Sequence, residues 1–515
     1  MLLQYPRMSS RHDEVAETWG LTFKWILEEQ ALSISTNNND LSGDLQALQQ
    51  ATRTQFISWL RSGGGIYWVS GKAGSGKSTL MKLIREASET HQHLSFWAGE
   101  YDLFIGHFYF YDRGGTLEKS QEGLIRHLLH QIFTKYPYLM TEAFKPQWNK
   151  LQRMCSSLIA RQGSTFEYQF TIAELLTAFK AVVSQTQGMI RMCIFIDGLD
   201  EFSGTDREVI QIMTQLMSMC ATSSGWHKLC VSSRPHTAFE AAFKQRPSLR
   251  MQDLTKNDIY HYIHSHLMSH DFLAEAGDTN YSIRFEAIVE RVVKQARGVF
   301  LWVRLAVMSL LDGLDHFDWI DELEQRVKAL PPELDSFYDR MVRMIDHGYR
   351  RQAARIFRIM LDSDDPPQPV ILSFLENDDE QIFRHSMESF SLSALNARSR
   401  HMEQRLKSRF GGLIEISIAL PTSNWTYVRT LFFHQTVREY FQRPDPWEIL
   451  LDGLPVSWCS NEHVYETGHH CAQLASVGCT EYQMELVPPA TLVRDRKRRT
   501  LRTTISIRSR EMQMS

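Results

Sequence analysis

The sequence predicts an α/β fold: a parallel sheet flanked by helices, followed by a largely helical region. Three observations lead there. Strand-like apolar runs alternate with helical segments between residues 66 and 233, and strands joined through helices pair in parallel. A Gly-rich stretch ending in Gly-Lys-Ser, residues 71–78, stands at the first strand-to-helix junction. Beyond about residue 250 the alternation stops, which marks a domain boundary.

Taken in order, residues 14–31 carry helical apolar spacing through Trp19, Phe23, Ile26 and Leu27, so a helix is expected. STNNNDLSGD (35–44) reads as a loop. A short helix around Phe56, Trp59 and Leu60 leads to Gly63-Gly64-Gly65 and then to strand IYWVS (66–70). FYFY (108–111) is strand-like and LIRHLLHQIF (124–133) is helical. Thr171 with Glu174 forms a capping box opening the helix AELLTAFKAVV. MCIFI (192–196) and KLCVSS (228–233) are apolar runs of the buried-strand type. Past residue 250, Thr255 with Asp258 reads as a second capping box, opening IYHYIHSHL. A long apolar helix is expected near 286–313, and another after Pro331-Pro332. LIEIS (413–417) and TYVRTLFFH (426–434) suggest short strands beside helices. No internal repeat of solenoid length is visible.

Composition sets outer bounds. At 515 residues, a prior of ~150 per domain suggests roughly three domains. Hydrophobic residues at 43% and charged residues at 23% give an ordinary globular balance, which argues against a disordered or fibrous chain. Net charge is −4, so electrostatic wrapping of nucleic acid by the whole chain is not expected. The segment 494–510 differs, with eight basic residues against one Asp; it reads as a solvated tail rather than an import or nucleic-acid patch. Seven scattered cysteines make no disulfide framework. Cys459, His463, His469, His470, Cys471 and Cys479 lack paired zinc spacing and read as core thiols and ordinary histidines. With no signal peptide and no membrane-length apolar run, a soluble cytoplasmic protein is expected.

The chemistry starts at Gly71-Lys72-Ala73-Gly74-Ser75-Gly76-Lys77-Ser78, which fits G-x-x-x-x-G-K-[ST] at every position. It lies after IYWVS and before the helix TLMKLIREA, where a phosphate-binding loop must lie. Its glycines let backbone N–H groups turn inward on an anion. Lys77 is expected to reach the β/γ-phosphates and Ser78 to ligate Mg²⁺. CIFIDGLDEF (193–202) supplies a buried strand ending in Asp197, a second Mg²⁺ ligand acting directly or through water. Asp200 or Glu201 can then polarise an attacking water. Arg234, at the end of KLCVSSRP, either reports a γ-phosphate or forms an ion pair.

These features together resemble the NACHT-type STAND ATPases, most closely fungal NACHT proteins whose module is also described as nephrocystin-like N-terminal. The resemblance runs from about Arg11 to Phe441. It is carried by FISWLRSGGGIYWVSGKAGSGKSTLMK, GHFYFYDRGGTLEKSQEGLIRHLLHQI, IFIDGLDEF, LCVSSRP, LTKNDIYHYIHSHL and FFHQTVREYF. It implies an α/β P-loop NTPase followed by an α-helical lid domain and a winged-helix-like domain. The implied boundaries are an N-terminal segment at 1–60, the nucleotide domain at 61–250, the lid at 251–330, the winged helix at 331–445 and a C-terminal segment at 446–515. It also implies ATP/ADP binding at Gly71, Gly74, Ser75, Gly76, Lys77, Ser78 and Thr79, Mg²⁺ at Ser78 and Asp197, and a β-phosphate contact from His434. Asp200, Glu201 and Arg234 would be the catalytic and sensing residues.

Full-length members carry an N-terminal effector domain and C-terminal sensor repeats. Only the 1–60 segment lies ahead of the nucleotide domain here and no repeats follow, so a minimal or truncated member is one reading. The function implied is a slow-ATPase switch that opens and self-oligomerises through its nucleotide domain in immune-like or incompatibility signalling. A non-hydrolysing ADP-bound scaffold is the rival, and a P-loop kinase of a small substrate is a third reading that the acidic pair after Asp197 disfavours.

Overall fold

The computed structural model describes residues 3–5, 8, 11–12, 15, 22–28, 41–145, 170–219, 227–269, 279–363, 366–373, 391–418 and 428–452. Among them, β1 (Gly65–Ser70), β2 (Asp102–Tyr109), β3 (Ile190–Asp197), β4 (His227–Ser233) and β5 (Ser248–Arg250) form one parallel sheet in the order β2-β3-β4-β1-β5. Helices cover both faces, and the period of two along each strand divides the side chains between them. Ile66, Trp68, Ile194, Ile196, Leu229 and Val231 enter one apolar cluster with the helices Gln121–Lys135, Ile172–Thr186 and Asp206–Met219. Tyr67, Val69, Cys193, Phe195 and Cys230 enter the other, with Leu41–Arg61, Lys77–Glu86 and Ser88–Ala98. The expected parallel sheet with flanking helices is therefore what forms.

Several elements differ from expectation, each for a local reason. Residues 22–28, expected to be helical, form a 3₁₀ turn at Lys24–Ile26 with Phe23 left-handed at φ 65°. The helix expected to be short spans Leu41–Arg61, so residues 41–44 are helix rather than loop. Ser42, Gly43 and Asp44 are weak helix formers, and only the apolar residues further on announce the helix. Strand β2 runs from 102 to 109, leaving Phe110 and Tyr111 between the strand and the turn that follows. The three-residue β5 was not foreseen, being too short for a periodic signal.

The capping box at Thr171 and Glu174 forms as expected. The one expected at Thr255 and Asp258 does not: Thr255 makes no side-chain cap. Asp258 is buried and turned away, its Oδ1 accepting from the Phe23 amide and its Oδ2 from Trp25 Nε1, both at 2.9 Å. An amide and an indole N–H aimed at one carboxylate outcompete the single backbone N–H that a cap at this buried helix start would offer it. Asp258 thus fastens the 22–28 turn, and burial pushes its carboxyl up to about 7 despite those two donors. A raised carboxyl favours the native state at low pH and loses that contribution as pH climbs from the unfolded value, near 4, to about 7. The urea-unfolding free energy of wild type minus that of Asp258→Asn is accordingly expected to shrink by about 2–3 kcal/mol between pH 5 and pH 7.5. Parallel pH profiles would refute this placement of Asp258.

The expected single helix near 286–313 is two, Thr279–Ala296 and Phe300–Asp315. Arg297 and Gly298 between them are left-handed, at φ 48° and 78°. A Cβ on Gly298 would sit 2.5 Å from Gln252 Cα, so only glycine permits both the turn and the approach. The break sends Val299–Leu301 onto the phosphate-loop segment, where Leu301 N donates to Gly74 O at 3.0 Å.

After residue 330 come the helices Leu334–Arg343, His347–Asp362 and Leu392–Arg409. The antiparallel pair β6 (Ile414–Ile418) and β7 (Val428–Phe432) and the helices Gln435–Phe441 and Asp445–Leu451 follow. Buried residues from Ile259 to Leu450 form one continuous apolar cluster. Among the described residues no helix is long and apolar enough to cross a membrane. The same residues hold no group of three or more His, Cys, Asp or Glu suited to a metal. The cysteines and histidines of 459–479 and the basic segment 494–510 lie outside the described residues.

Candidate functional site

Parallel strands deliver their following loops to one edge of the sheet, the usual place for a ligand site. Because β4 lies between β1 and β3, the segment after β4 is flanked by the Gly-rich loop on one side and the acidic loop on the other. Gly71 N donates to Ser233 O at 3.3 Å, which fastens the loop to the end of β4. Gly74 and Gly76 are left-handed, at φ 68° and 90°, and Gly76 is the N-cap of helix Lys77–Glu86. Lys77 Nζ folds back over the loop, donating to Gly71 O at 2.9 Å and Lys72 O at 3.1 Å. Burial lowers its pKa, Asp200 opposes that, Arg234 adds to it, and Asp197 and Glu201 oppose it. Ser75 Oγ is buried and has no hydrogen-bond partner among the described residues, an orphaned donor inside the loop. Thr79 is half-buried in the first helical turn.

On the other side, Asp197 ends β3 fully buried and accepts a short hydrogen bond from Ser232 Oγ. Burial raises its carboxyl, while the Ser232 and Ser78 hydroxyls pull it down. Ser78 and Asp197 thus converge from two different loops. Two hard oxygen donors meeting there fit a magnesium ion, which takes one or two protein ligands and keeps waters. Gly198, left-handed at φ 72°, swings the chain into the turn Leu199–Glu201. Glu201 Oε2 accepts from the Asp112 amide at 3.1 Å. Burial lifts the Glu201 carboxyl to about 7; Arg11 and the Asp112 amide pull it down, and Asp200 and Asp197 push it up.

Arg234 forms the ion pair that was one of its two expected fates, with both faces of its guanidinium fork engaged. Nη1 and Nη2 meet Glu439 Oε2 and Oε1 at 2.9 and 2.5 Å, and Nε meets Asp200 Oδ2 at 2.9 Å. Burial works against the charge, but Glu439 and Asp200 outweigh it and hold Arg234 above the usual guanidinium range. Glu439 belongs to helix Gln435–Phe441, whose N-cap is His434. His434 Nδ1 accepts from the Thr436 amide at 3.2 Å, so in the neutral ring the proton resides on Nε2. Burial drives its pKa well down, and Arg113, Arg11, Arg234 and Lys77 each add to that. The structure therefore brings the expected residues of the loop, the acidic turn, Arg234 and His434 to one edge.

Several residues at this edge carry no motif that sequence reasoning could find. Arg11 and Arg113 both lie on the Tyr111 ring, 4.6 and 5.1 Å from its centroid. Arg113 also donates a short hydrogen bond to Phe432 O. Asp112 accepts from Arg438 Nη1 at 2.8 Å and Gln435 Nε2 at 2.5 Å. The available signal was position: Asp112 and Arg113 follow β2, which neighbours β3, and loops after parallel strands share an edge.

Residues 49–234 match the sequence profile of the family described as Nephrocystin 3, N-terminal. Residues 344–457 match a second, described as Domain of unknown function (DUF7791). Comparison with curated proteins finds no match. Solved structures similar to the chain include the Aeropyrum pernix ORC2 protein in its ADPNP-ADP complexes, at 11% identity and a TM-score of 0.32, over 87% of this chain and 98% of that one. Cdc6p from Pyrobaculum aerophilum is 11% identical with a TM-score of 0.29, over 83% and 99%. A chain of Drosophila ORC bound to DNA is 12% identical with a TM-score of 0.29, over 77% and 94%. Likeness at this level is too slight to carry a function from those proteins to this chain. The nephrocystin profile spans the Gly-rich loop, the acidic turn and Arg234, and with the sheet order it makes this region a P-loop NTPase module.

Proposed function

We propose that the chain is an ATP/ADP-binding switch of NACHT type, with a slow ATPase that sets how long it stays open. The observation that supports this best is the helix Gln435–Phe441 bound across the mouth of the P-loop edge by Arg234–Glu439 and Asp112–Arg438. A region remote in sequence is tied to the residues that would touch phosphate, which a two-state device requires. In this reading residues 61–250 are the nucleotide domain, 251–330 a helical lid, 331–445 a winged-helix-like domain and 446–515 a C-terminal segment. Gly71, Gly74, Ser75, Gly76, Lys77, Ser78 and Thr79 hold the phosphates, and Ser78 and Asp197 would hold Mg²⁺. When bound, that ion supplies charge neutralisation on the phosphate oxygens. Glu201, with Asp200 beside it, takes the proton of the attacking water. Diphosphate keeps the domains closed with His434 donating from Nε2 to the β-phosphate; triphosphate opens them and exposes a surface for self-association. By resemblance, the biological setting is immune-like or incompatibility signalling in the cytoplasm. The test is the nucleotide retained by the purified chain, and its sedimentation with ADP and with a slowly hydrolysed ATP analogue. A chain that retains no nucleotide and sediments identically in both would overturn the proposal.

His434 has two separable roles here, cap and phosphate donor. His434→Leu removes both, while His434→Asn keeps a cap acceptor but lacks the imidazole's reach. Both variants are expected to release diphosphate faster, by roughly 5- to 100-fold for a lost hydrogen bond of ~1–3 kcal/mol. A wild-type off-rate in the Asn variant would make His434 a helix cap and nothing more.

A further inference from the structure

We infer that Glu439 is the residue that sets the site's discrimination between nucleoside triphosphate and diphosphate, because it holds the guanidinium that a terminal phosphate needs. The inference rests on the nucleotide reading above and names a competitor inside it. Arg234 leaves β4 beside the P-loop: Ser233 stands in register with Ser70, and Gly71 N donates to Ser233 O. Its guanidinium is nevertheless committed. Glu439 takes the Nη1–Nη2 edge as a bidentate pair and Asp200 takes Nε. A phosphate oxygen can make the same bidentate contact only by displacing a carboxylate.

The two carboxylates are not equally displaceable. The Asp200 side chain is 5% exposed and also accepts from the Arg234 amide at 3.0 Å, whereas that of Glu439 is 37% exposed. Asp200 belongs to the same sheet edge as Arg234; Glu439 arrives from 205 residues away, on the helix Gln435–Phe441. Glu439 therefore yields first. A diphosphate, lacking the terminal group, leaves the Arg234–Glu439 pair intact. A triphosphate brings a second anion to the same fork, so it both needs Arg234 and repels Glu439. Released, the helix keeps its tie through Asp112 to Arg438 and Gln435, so loss of Glu439 loosens the closed form without dismantling it.

The test is calorimetric titration of the full chain with Mg-ADP and with Mg-ATPγS, using wild type, Glu439→Gln, Arg234→Ala and the double variant. Glu439→Gln is expected to tighten ATPγS roughly 10- to 100-fold, the worth of a charged hydrogen bond, while ADP stays within about threefold. In the Arg234→Ala background the same change should give no gain, since there is no longer a guanidinium to release. Glu439→Asp, which keeps the charge but shortens the reach, should shift ATPγS in the same direction by less, and it serves where the Gln variant does not fold. Equal shifts for both nucleotides, or a gain that persists without Arg234, would overturn the inference while leaving nucleotide binding standing. A wild type that binds neither nucleotide would overturn the nucleotide reading itself, and the inference with it.

Discussion

Lys77→Ala is expected to abolish nucleotide binding or weaken it by at least 10- to 100-fold. Among the described residues, the ammonium's partners at hydrogen-bond distance are neutral, the carbonyls of Gly71 and Lys72. Burial already costs it, as the lowered pKa records, and Asp200, Asp197 and Glu201 offset part of that cost from a distance. A phosphate would supply the compensation that those carboxylates give incompletely. One charged hydrogen bond is worth ~1.5–3 kcal/mol, the 10- to 100-fold just given, and the loss of charge neutralisation adds to it. Alanine also releases the two loop carbonyls, so loop collapse must be separated from loss of contact. Lys77→Met keeps the stem and removes the charge, and its urea-unfolding midpoint shows whether the loop's packing survives. Affinity for ADP by calorimetry is the measurement; wild-type affinity in both variants would remove the phosphate site from this loop.

Much of the sheet and of the loops at its edge was legible because the signals there are short-range. Buried strands of uninterrupted apolar residues, a full P-loop and Asp197 at a strand end announce themselves without knowledge of tertiary structure. What was missed depends on where distant segments land. In sequence Asp258 reads as part of a capping box because Thr255 stands three residues ahead of it, yet its partners are Phe23 and Trp25, more than 230 residues away. The apolar helix near 286–313 looked continuous because Gly298 is one residue in an apolar run; its need for φ 78° and for close approach to Gln252 appears only in the folded chain. Glu439 and Arg438 sit in the segment that carries His434, but nothing in the neighbouring sequence signals that they pair with Arg234 and Asp112. Arg11 has no motif around it at all, yet it bears on Asp197, Glu201 and His434 together. Charges become a site only when the topology gathers them.

Glu201→Gln is expected to leave nucleotide affinity near wild type and to slow hydrolysis by roughly 10²- to 10⁴-fold, the range for losing a positioned general base. The change is nearly isosteric, and the amide oxygen can still accept from the Asp112 amide, which Glu201 Oε2 now meets at 3.1 Å. What it removes is a proton acceptor with an unusual poise. Burial lifts the carboxyl to about 7, far above an ordinary glutamate. A base must be deprotonated to act, so kcat/KM is expected to rise with pH below about 7 and level off above it. That acid limb should vanish in Glu201→Gln. Arg11 supplies a check that a structural role would not satisfy: its charge pulls the Glu201 carboxyl down. Arg11→Ala should therefore move the acid limb to higher pH, and the sign follows because a lost neighbouring cation makes the carboxylate costlier to form. A hydrolysis rate unchanged in Glu201→Gln would place the general base elsewhere, whereas no measurable turnover in a wild type that nonetheless retains ADP would favour the non-hydrolysing scaffold over the switch. The Arg11 arm identifies the base where turnover is present, because a limb that moves with Arg11 and disappears with Glu201 leaves the carboxylate at position 201 as its source.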